Sequence, residues 1–359
     1  MTTPKRLGVF TRLVRTDPRQ DSAAVYRDAL RQIGFAEQLG YDAAWVAQHH
    51  IDPAEGGLPS PFVFLAHAAA RHRRIRFGTA IITLALEDPI RVAEDAAVLD
   101  VLSGGRFELG FGAGGSAHAF ELFEVPGEDR QRIYTEKLAR VVAALDGRAL
   151  IGGGRLNPPA RPLRNRIWQA TFSASGARRA GAAGDGLLLS RTQPRGPQAP
   201  RAALPQLQQP LVEAYLAALP AGVEPRIGVS RSVFVADDGA EAAALAERGA
   251  QRYLEHLRHS GGPDRARTVP EALRDTALGT ADDVAEQLAA DAVVARATDL
   301  IVQVHPVDPG HQPTLRSIEL IATKVAPNLG WQPNERNAVT ERNEETRGAA
   351  APNASEVLL

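Results

Sequence analysis

The stretch that decides the fold runs Arg76-Phe-Gly-Thr-Ala-Ile-Ile-Thr-Leu84, then Asp88-Pro-Ile-Arg-Val-Ala-Glu-Asp95, Leu99-Asp100 and Leu102-Ser-Gly-Gly-Arg-Phe-Glu-Leu-Gly-Phe-Gly112. Its first part belongs to a short apolar run, Ile75–Ile82, which reads as a strand buried on both faces. Asp88 followed by Pro89 has the form of a helix start, because a first-turn proline lacks only an N–H that the helix does not use. That helix runs to about Leu102, and Ser103-Gly-Gly-Arg106 turns the chain into the next strand, Phe107–Phe111. Strand, helix and strand in so short a space make a parallel crossover.

The same alternation extends outward on both sides. Upstream lie a strand at Leu7–Phe10, a helix over Ser22–Leu39 with apolar Val25, Ala29, Ile33 and Ala36 at helical spacing, and a strand at Ala43–Val46. Downstream, strands are predicted at Ile167–Phe172, Gly186–Ser190, Ile227–Ala236 and Leu300–Val304. Helices are predicted near Asp129–Leu145, between the fifth and sixth strands, and over Ala240–Leu257, Ala281–Ala295 and Thr314–Val325. Eight strands, each followed by helical material, give an α/β fold of the TIM (β/α)8 barrel type with insertions. The expected organisation is one domain over 1–331, with excursions at about 147–166, 191–210 and 259–278. A tail over 332–359, poor in large apolar residues, is expected to be disordered.

Composition removes several function classes. The chain has 359 residues, 44% hydrophobic and 23% charged, and its 41 Lys+Arg against 42 Asp+Glu leave no basic excess to grip nucleic acid or an anionic membrane. It contains no cysteine, which excludes disulfides, thiolate nucleophiles and zinc–cysteine sites. Lys5, Lys137 and Lys324 are the only lysines and none is predicted at a strand end, which argues against Schiff-base chemistry. No HExxH or G-x-S-x-G motif is present, and no metal is expected. The start MTTPKRLGVF lacks the apolar stretch of a signal peptide, and no run approaches the ~20 apolar residues of a membrane helix, so a cytoplasmic location is expected.

In such a barrel the chemistry gathers at the carboxyl ends of the strands. The polar residues there are Thr11 and Arg12, Gln48-His49-His50, Thr83, Ala113–Ser116, Ser173–Gly176, Arg191-Thr192 and His305. A histidine pair at a strand end can pass a proton to a substrate oxygen, or can serve as hydrogen-bonded structure. Gly110-Phe-Gly112-Ala-Gly114-Gly115 fits a dinucleotide fingerprint poorly, since Pro126 interrupts the segment downstream, and fits better a place where a flat ligand meets backbone. Ser173-Ala-Ser175-Gly176 opens a helix, where its hydroxyls either cap the helix or cradle a phosphate; spacing leaves both open.

These residues are similar to the bacterial luciferase-like family of flavin-dependent monooxygenases. The likeness is carried by the 76–112 block, Trp45-Val-Ala-Gln-His-His50, Gln169-Ala-Thr-Phe-Ser-Ala-Ser-Gly176 and Val233-Phe-Val-Ala-Asp237, and spans about 5–330. The resemblance implies a TIM barrel binding reduced FMN (FMNH2) at its mouth, supplied by a separate NAD(P)H-flavin reductase. It implies O2 addition at flavin C4a to give a (hydro)peroxide that oxidises a small organic substrate. His49 and His50 then correspond to the catalytic histidine and its neighbour. Thr79, Ala80 and Ile81 correspond to a segment whose non-prolyl cis bond, Ala80–Ile81, props the flavin ring, with Gly112 beside it. Ser173, Ser175 and Gly176 correspond to the phosphate cradle.

Two positions depart from the pattern. Ala113 stands where luciferases carry a phosphate-binding arginine, which makes Arg191 the replacement candidate, and Gln48 stands where luciferase has an acid. Phe10, Arg12 and His305 are the candidate substrate contacts, together with the 191–210 and 259–278 segments, and a homodimer is implied. The alternatives are a deazaflavin (F420)-dependent oxidoreductase of the same fold and a non-catalytic flavin-binding protein. The presence of both histidines speaks against the last.

Overall fold

The computed structural model describes residues 5–15, 17, 19–51, 56–260 and 266–334. Its elements run β1 (Arg6–Thr11), α1 (Ser22–Gln38), β2 (Ala43–Val46), α2 (Pro61–Arg71), β3 (Arg76–Thr79), β4 (Ile82–Thr83), α3 (Pro89–Leu102), β5 (Phe107–Gly112), α4 (Ala117–Leu122) and α5 (Arg130–Leu145). They continue β6 (Ile167–Ala170), α6 (Ala174–Ala182), β7 (Gly186–Leu189), α7 (Leu204–Leu216), β8 (Ile227–Val235), α8 (Gly239–Ser260), α9 (Val269–Leu273), β9 (Thr276–Gly279), α10 (Ala281–Ala289), α11 (Ala292–Ala295), β10 (Asp299–Gln303) and α12 (His311–Leu320). Pairing is parallel throughout and closes on itself. β10 pairs with both β1 and β8, and the ring runs β1-β2-β3-β5-β6-β7-β8-β10. This is the expected eight-stranded barrel.

Local chemistry explains the elements. Asp88 caps α3, its Oδ1 accepting from the N–H groups of Ile90 at 2.8 Å and Arg91 at 3.0 Å, with Pro89 in the first turn. The strands alternate between two apolar layers. Leu7, Val9, Ala44 and Val46 face the helices, whereas Ala43, Trp45, Trp168, Leu188 and Ile301 fill the lumen. The two lumen indoles meet edge to face, 5.8 Å apart at 88°. Glycine on the flanking strands makes room for them: a Cβ at Gly78 would stand 2.1 Å from the Trp45 ring, and one at Gly186 2.2 Å from that of Trp168.

Below the indoles, the amino-terminal end of the lumen is plugged by ion pairs. Arg6 grips Asp299 through Nε at 2.8 Å and Nη2 at 3.0 Å. Arg76 Nε donates to Glu108 Oε1 and Trp168 Nε1 to Glu108 Oε2, both at 2.8 Å. The Arg226 guanidinium lies 5.0 Å over the Trp168 ring.

The structure differs from the sequence expectation in several places. The predicted strand Ile75–Ile82 is interrupted at Ala80–Ile81, whose peptide bond is cis, and resumes as β4 beside β5. The Pro- and Gln-rich segment expected to be a loop to residue 210 becomes helical at Leu204. Its Pro205 sits in the first turn, where proline is tolerated, and Leu204, Leu211, Val212 and Tyr215 are buried. The polar stretch after α8 contains α9 and a ninth strand, β9, which pairs with the outer half of β8. The helices α2 and α4 carried no expectation, and the predicted helix Ala281–Ala295 divides into α10 and α11 because Asp291 caps a new start. The expected disordered tail lies outside the described residues except for 332–334, where the Asn334 N–H donates to Gly40 O at 3.1 Å.

Candidate active site

Above the Trp pair, at the carboxyl ends of the strands, Phe10, Ala80, Ile81 and Ala170 form a partly open apolar floor. Thr79 supports it. Its hydroxyl donates to Gly110 O at 3.0 Å and accepts from Gly110 N at 2.9 Å, locking β3 to β5 below the cis bond. The Thr79 side chain is thus buried and committed to backbone, while Ala80 and Ile81 face the mouth. A Cβ at Gly112 would come within 2.9 Å of Ile81 Cγ1, so glycine keeps this floor flat.

At the edge of the floor, Ser173 caps α6 with Oγ accepting from Gly176 N at 3.2 Å. Its hydroxyl also lies 3.1 Å from that of Ser175. Capping is therefore realised, and two hydroxyls with the helix N-terminus remain open to an anion. Gly176 is required there, since a Cβ would sit 2.0 Å from Thr171 Oγ1.

The histidine pair divides as strand alternation predicts. Continuing the lumen register of Ala43 and Trp45, His49 faces the mouth; its N–H donates to Leu58 O at 3.0 Å. Gly56 brings the chain against its ring, where a Cβ would meet His49 Cδ2 at 2.7 Å and Arg12 O at 2.8 Å. His50 instead packs edge-on against Phe123, with centroids 4.7 Å apart. Burial lowers the basicity of its imidazole, opposed by the Glu87 carboxylate. Gln48 ties this turn to the next one, donating to Glu87 Oε1 at 2.6 Å and accepting from Thr83 N at 2.7 Å.

On the β1 and β10 side stands a second polar group. His305 faces the Asp308 carboxylate through Nδ1 at 2.5 Å, and Tyr253 of α8 covers its ring edge to face at 5.0 Å. Burial, with Arg191 and Arg12 nearby, pushes the His305 imidazole down to about 3, so it is neutral at physiological pH. Arg191 Nε donates to Gln303 Oε1 at 3.2 Å, and Gln303 Nε2 continues to Ser230 Oγ at 2.8 Å. Arg12, Phe10, His305 and Asp308 line the pocket between the ends of β1 and β10.

The structure thus gathers two groups from the predicted residues. Phe10, Ala80, Ile81, Gly112, Ser173, Ser175 and Gly176 form or adjoin the floor, while Arg12, Arg191 and His305 form the opposite wall, with His49 at the mouth. Arg191 is engaged with that wall and not with the Ser173–Gly176 turn for which the sequence had proposed it. Sequence reasoning missed Gln303, Asp308 and Tyr253. The His305-x-x-Asp308 spacing and the lumen register of Gln303 were available signals; Tyr253, on a distant helix, offered none. Among the described residues no cluster of His, Asp and Glu is arranged to hold a metal.

Comparison with known proteins points the same way. The family model described as luciferase-like monooxygenase matches residues 6–299. A protein of Sinorhizobium fredii is 27% identical over 334 residues, covering 86% of this chain and 93% of that protein. The 4-hydroxyprotoasukamycin monooxygenase of Streptomyces nodosus is 38% identical over 124 residues, 34% of this chain and 33% of that enzyme. Among solved structures, the oxygenating constituent of 3,6-diketocamphane monooxygenase from Pseudomonas putida, in complex with FMN, superposes with a TM-score of 0.69 at 20% identity, covering 90% of this chain and 98% of that one.

Proposed function

We propose, from the premise that this chain belongs to the luciferase-like monooxygenase family, that it is the oxygenating component of a two-component system. It takes up reduced FMN from an NAD(P)H-dependent reductase and uses O2 to oxidise a small organic substrate. The observation that carries this reading is the flat apolar floor of Ala80, Ile81, Ala170 and Gly112, flanked by the hydroxyl-bearing start of α6. An aromatic ring system with a phosphate tail matches that combination, and bound reduced FMN supplies the electrons that activate O2.

The chain's own residues bind, orient and shield. Ser173, Ser175 and the N-terminal N–H groups of α6 hold the phosphate, and Ala80, Ile81 and Gly112 support the ring. His49, at the mouth, holds or delivers the proton at the reacting oxygen, while His50 and Gln48 fix the turn that carries it. The loop after β7 and the insertion before β9 are joined by Arg195 Nη2, which bonds both Asp275 carboxylate oxygens at 2.8 Å, and together they exclude water. Exposed Val63, Val98, Val101 and Leu102 on α2 and α3 support a homodimer through that face. No helix among the described residues is long and apolar enough to cross a membrane. Access to NAD(P)H favours a cytoplasmic setting.

The test is anaerobic titration with reduced FMN and, separately, with the reduced deazaflavin F420, followed by mixing with oxygenated buffer. Tight binding of reduced FMN, with reoxidation slower than that of the free flavin, is expected. Preference for the deazaflavin without O2 consumption would transfer the chain to hydride chemistry.

A further inference from the structure

We propose that Arg191 and Arg12 form an anion subsite for the substrate, so that the molecule oxidised carries a carboxylate or similar singly charged oxyanion that lies against the Arg191 guanidinium. This inference rests on the flavin monooxygenase reading above and adds the substrate class to it.

Arg191 is only 8% exposed, yet its Nε donates to a neutral amide oxygen, Gln303 Oε1, at 3.2 Å. The Tyr253 phenol is a further neighbour of the guanidinium. Nη2 is buried with no hydrogen-bond partner. No carboxylate of the described residues lies within ion-pair distance of it. The Asp308 carboxylate, which acts on it, is held by His305, and the neighbouring cation is Arg12. Burial and Arg12 pull Arg191 down to about 10, which still leaves it protonated near neutrality. A buried cation without a counter-ion is costly, and a guanidinium offers the planar fork that a carboxylate fits. The position gains its missing acceptor when a ligand anion arrives.

Arg191 follows β7, next to β6, so it is the orientation of its guanidinium that separates the two anions available. Arg191 is anchored to Gln303 of β10 and stands beside Arg12, which follows β1. The Ser173–Gly176 turn follows β6, which lies across the ring from β1. A flavin phosphate on that turn leaves Arg191 for the other reactant. Arg12 also lines the cleft between the ends of β1 and β10 with Phe10, Leu13 and Val304, so apolar surface adjoins the charged group. Neutral His305 adds no third cation, and the Asp308 carboxylate disfavours a dianion.

The test uses benzoate and its neutral counterpart benzamide as calorimetric probes of the full chain, with oxidised FMN affinity measured separately by fluorescence. Wild type should bind benzoate at least about tenfold more tightly than benzamide, a difference of about 1.4 kcal/mol. Arg191→Met and Arg12→Gln should abolish that preference while FMN affinity changes less than about twofold. Equal affinity of wild type for the two probes overturns the subsite. So does an Arg191→Met variant that keeps the preference and loses FMN, since the guanidinium then serves the flavin phosphate. Absence of FMN binding in wild type, with the benzoate preference intact, would defeat the flavin reading and uphold the subsite. Should Arg191→Met fail to fold by circular dichroism, the half-buried Arg12→Gln carries the comparison.

Discussion

At the amino-terminal end of the lumen, the buried carboxylates meet cations in direct hydrogen bonds: Asp299 is clamped by Arg6, and Glu108 is shared by Arg76 and the Trp168 indole. At the carboxyl end, Arg191 donates to a neutral amide, and among the described residues the nearby Asp308 carboxylate is taken by neutral His305. Both ends are capped by the same kind of residue around the same ring of strands. The closed end has its partners built in and contributes to holding the strands in register. The open end leaves donors for something the chain does not contain. Mutations should therefore read as stability at one end and as binding at the other.

The largest effect is expected at the closed end. Glu108→Ala strands the half-buried Arg76 and the buried Trp168 N–H and should lower unfolding stability by about 3 kcal/mol in a urea titration. A loss below about 1 kcal/mol would erase the distinction between the ends. His49→Ala should leave stability and FMN affinity near wild type while product formation falls about 100-fold or more, as loss of a proton-transfer group does. Gly112→Val should weaken flavin binding by about tenfold, because its side chain must displace Ile81 from the floor.

His305 sharpens the contrast through pH. Its folded-state value near 3 lies below that of the unfolded chain, so the unfolded state binds more protons as pH falls from about 6.5 toward 3. The stability that neutral His305 contributes is present above that window and is lost on acidification. Melting temperature should fall between pH 7 and pH 5 more steeply in wild type than in His305→Gln, and equal slopes would remove His305 as the cause. The smallest effect belongs to Arg191→Met. Removing an uncompensated buried cation should leave stability within about 1 kcal/mol of wild type, or above it, in urea unfolding.

The barrel was legible because parallel strands buried on both faces write short apolar runs such as Leu300–Val304, and because Asp88-Pro89 announces its helix. The features hidden from sequence reading were hidden for physical reasons. Pro205 and Pro210 read as breakers, yet one sits in the first turn and the other is outweighed by a buried Leu211-Val212-Tyr215 face. β9 is mostly half-exposed and shows no alternation. At the site, strand ends identified Arg12, His49, Arg191 and His305, since the fold puts strand ends together. Which of them share a wall depended on Gln303 and on Tyr253, whose positions are set by tertiary contacts and not by local pattern. Arg191 was legible as a strand-end residue, and its orientation toward β10 was beyond sequence spacing.

A closed barrel has no free sheet edge, and the insertion after α8 gives one back. β9 pairs with β8 on one side, through Ser232↔Thr276 to Val235↔Gly279, and no other strand of the described sheet pairs with it. A lone edge of this kind can recruit a strand from another molecule. Its four-residue length and its abrupt end at Gly279 limit that risk. Lengthening this segment by engineering would therefore trade colloidal behaviour for roof area, and the first sign of excess would be aggregation, ahead of any loss of turnover.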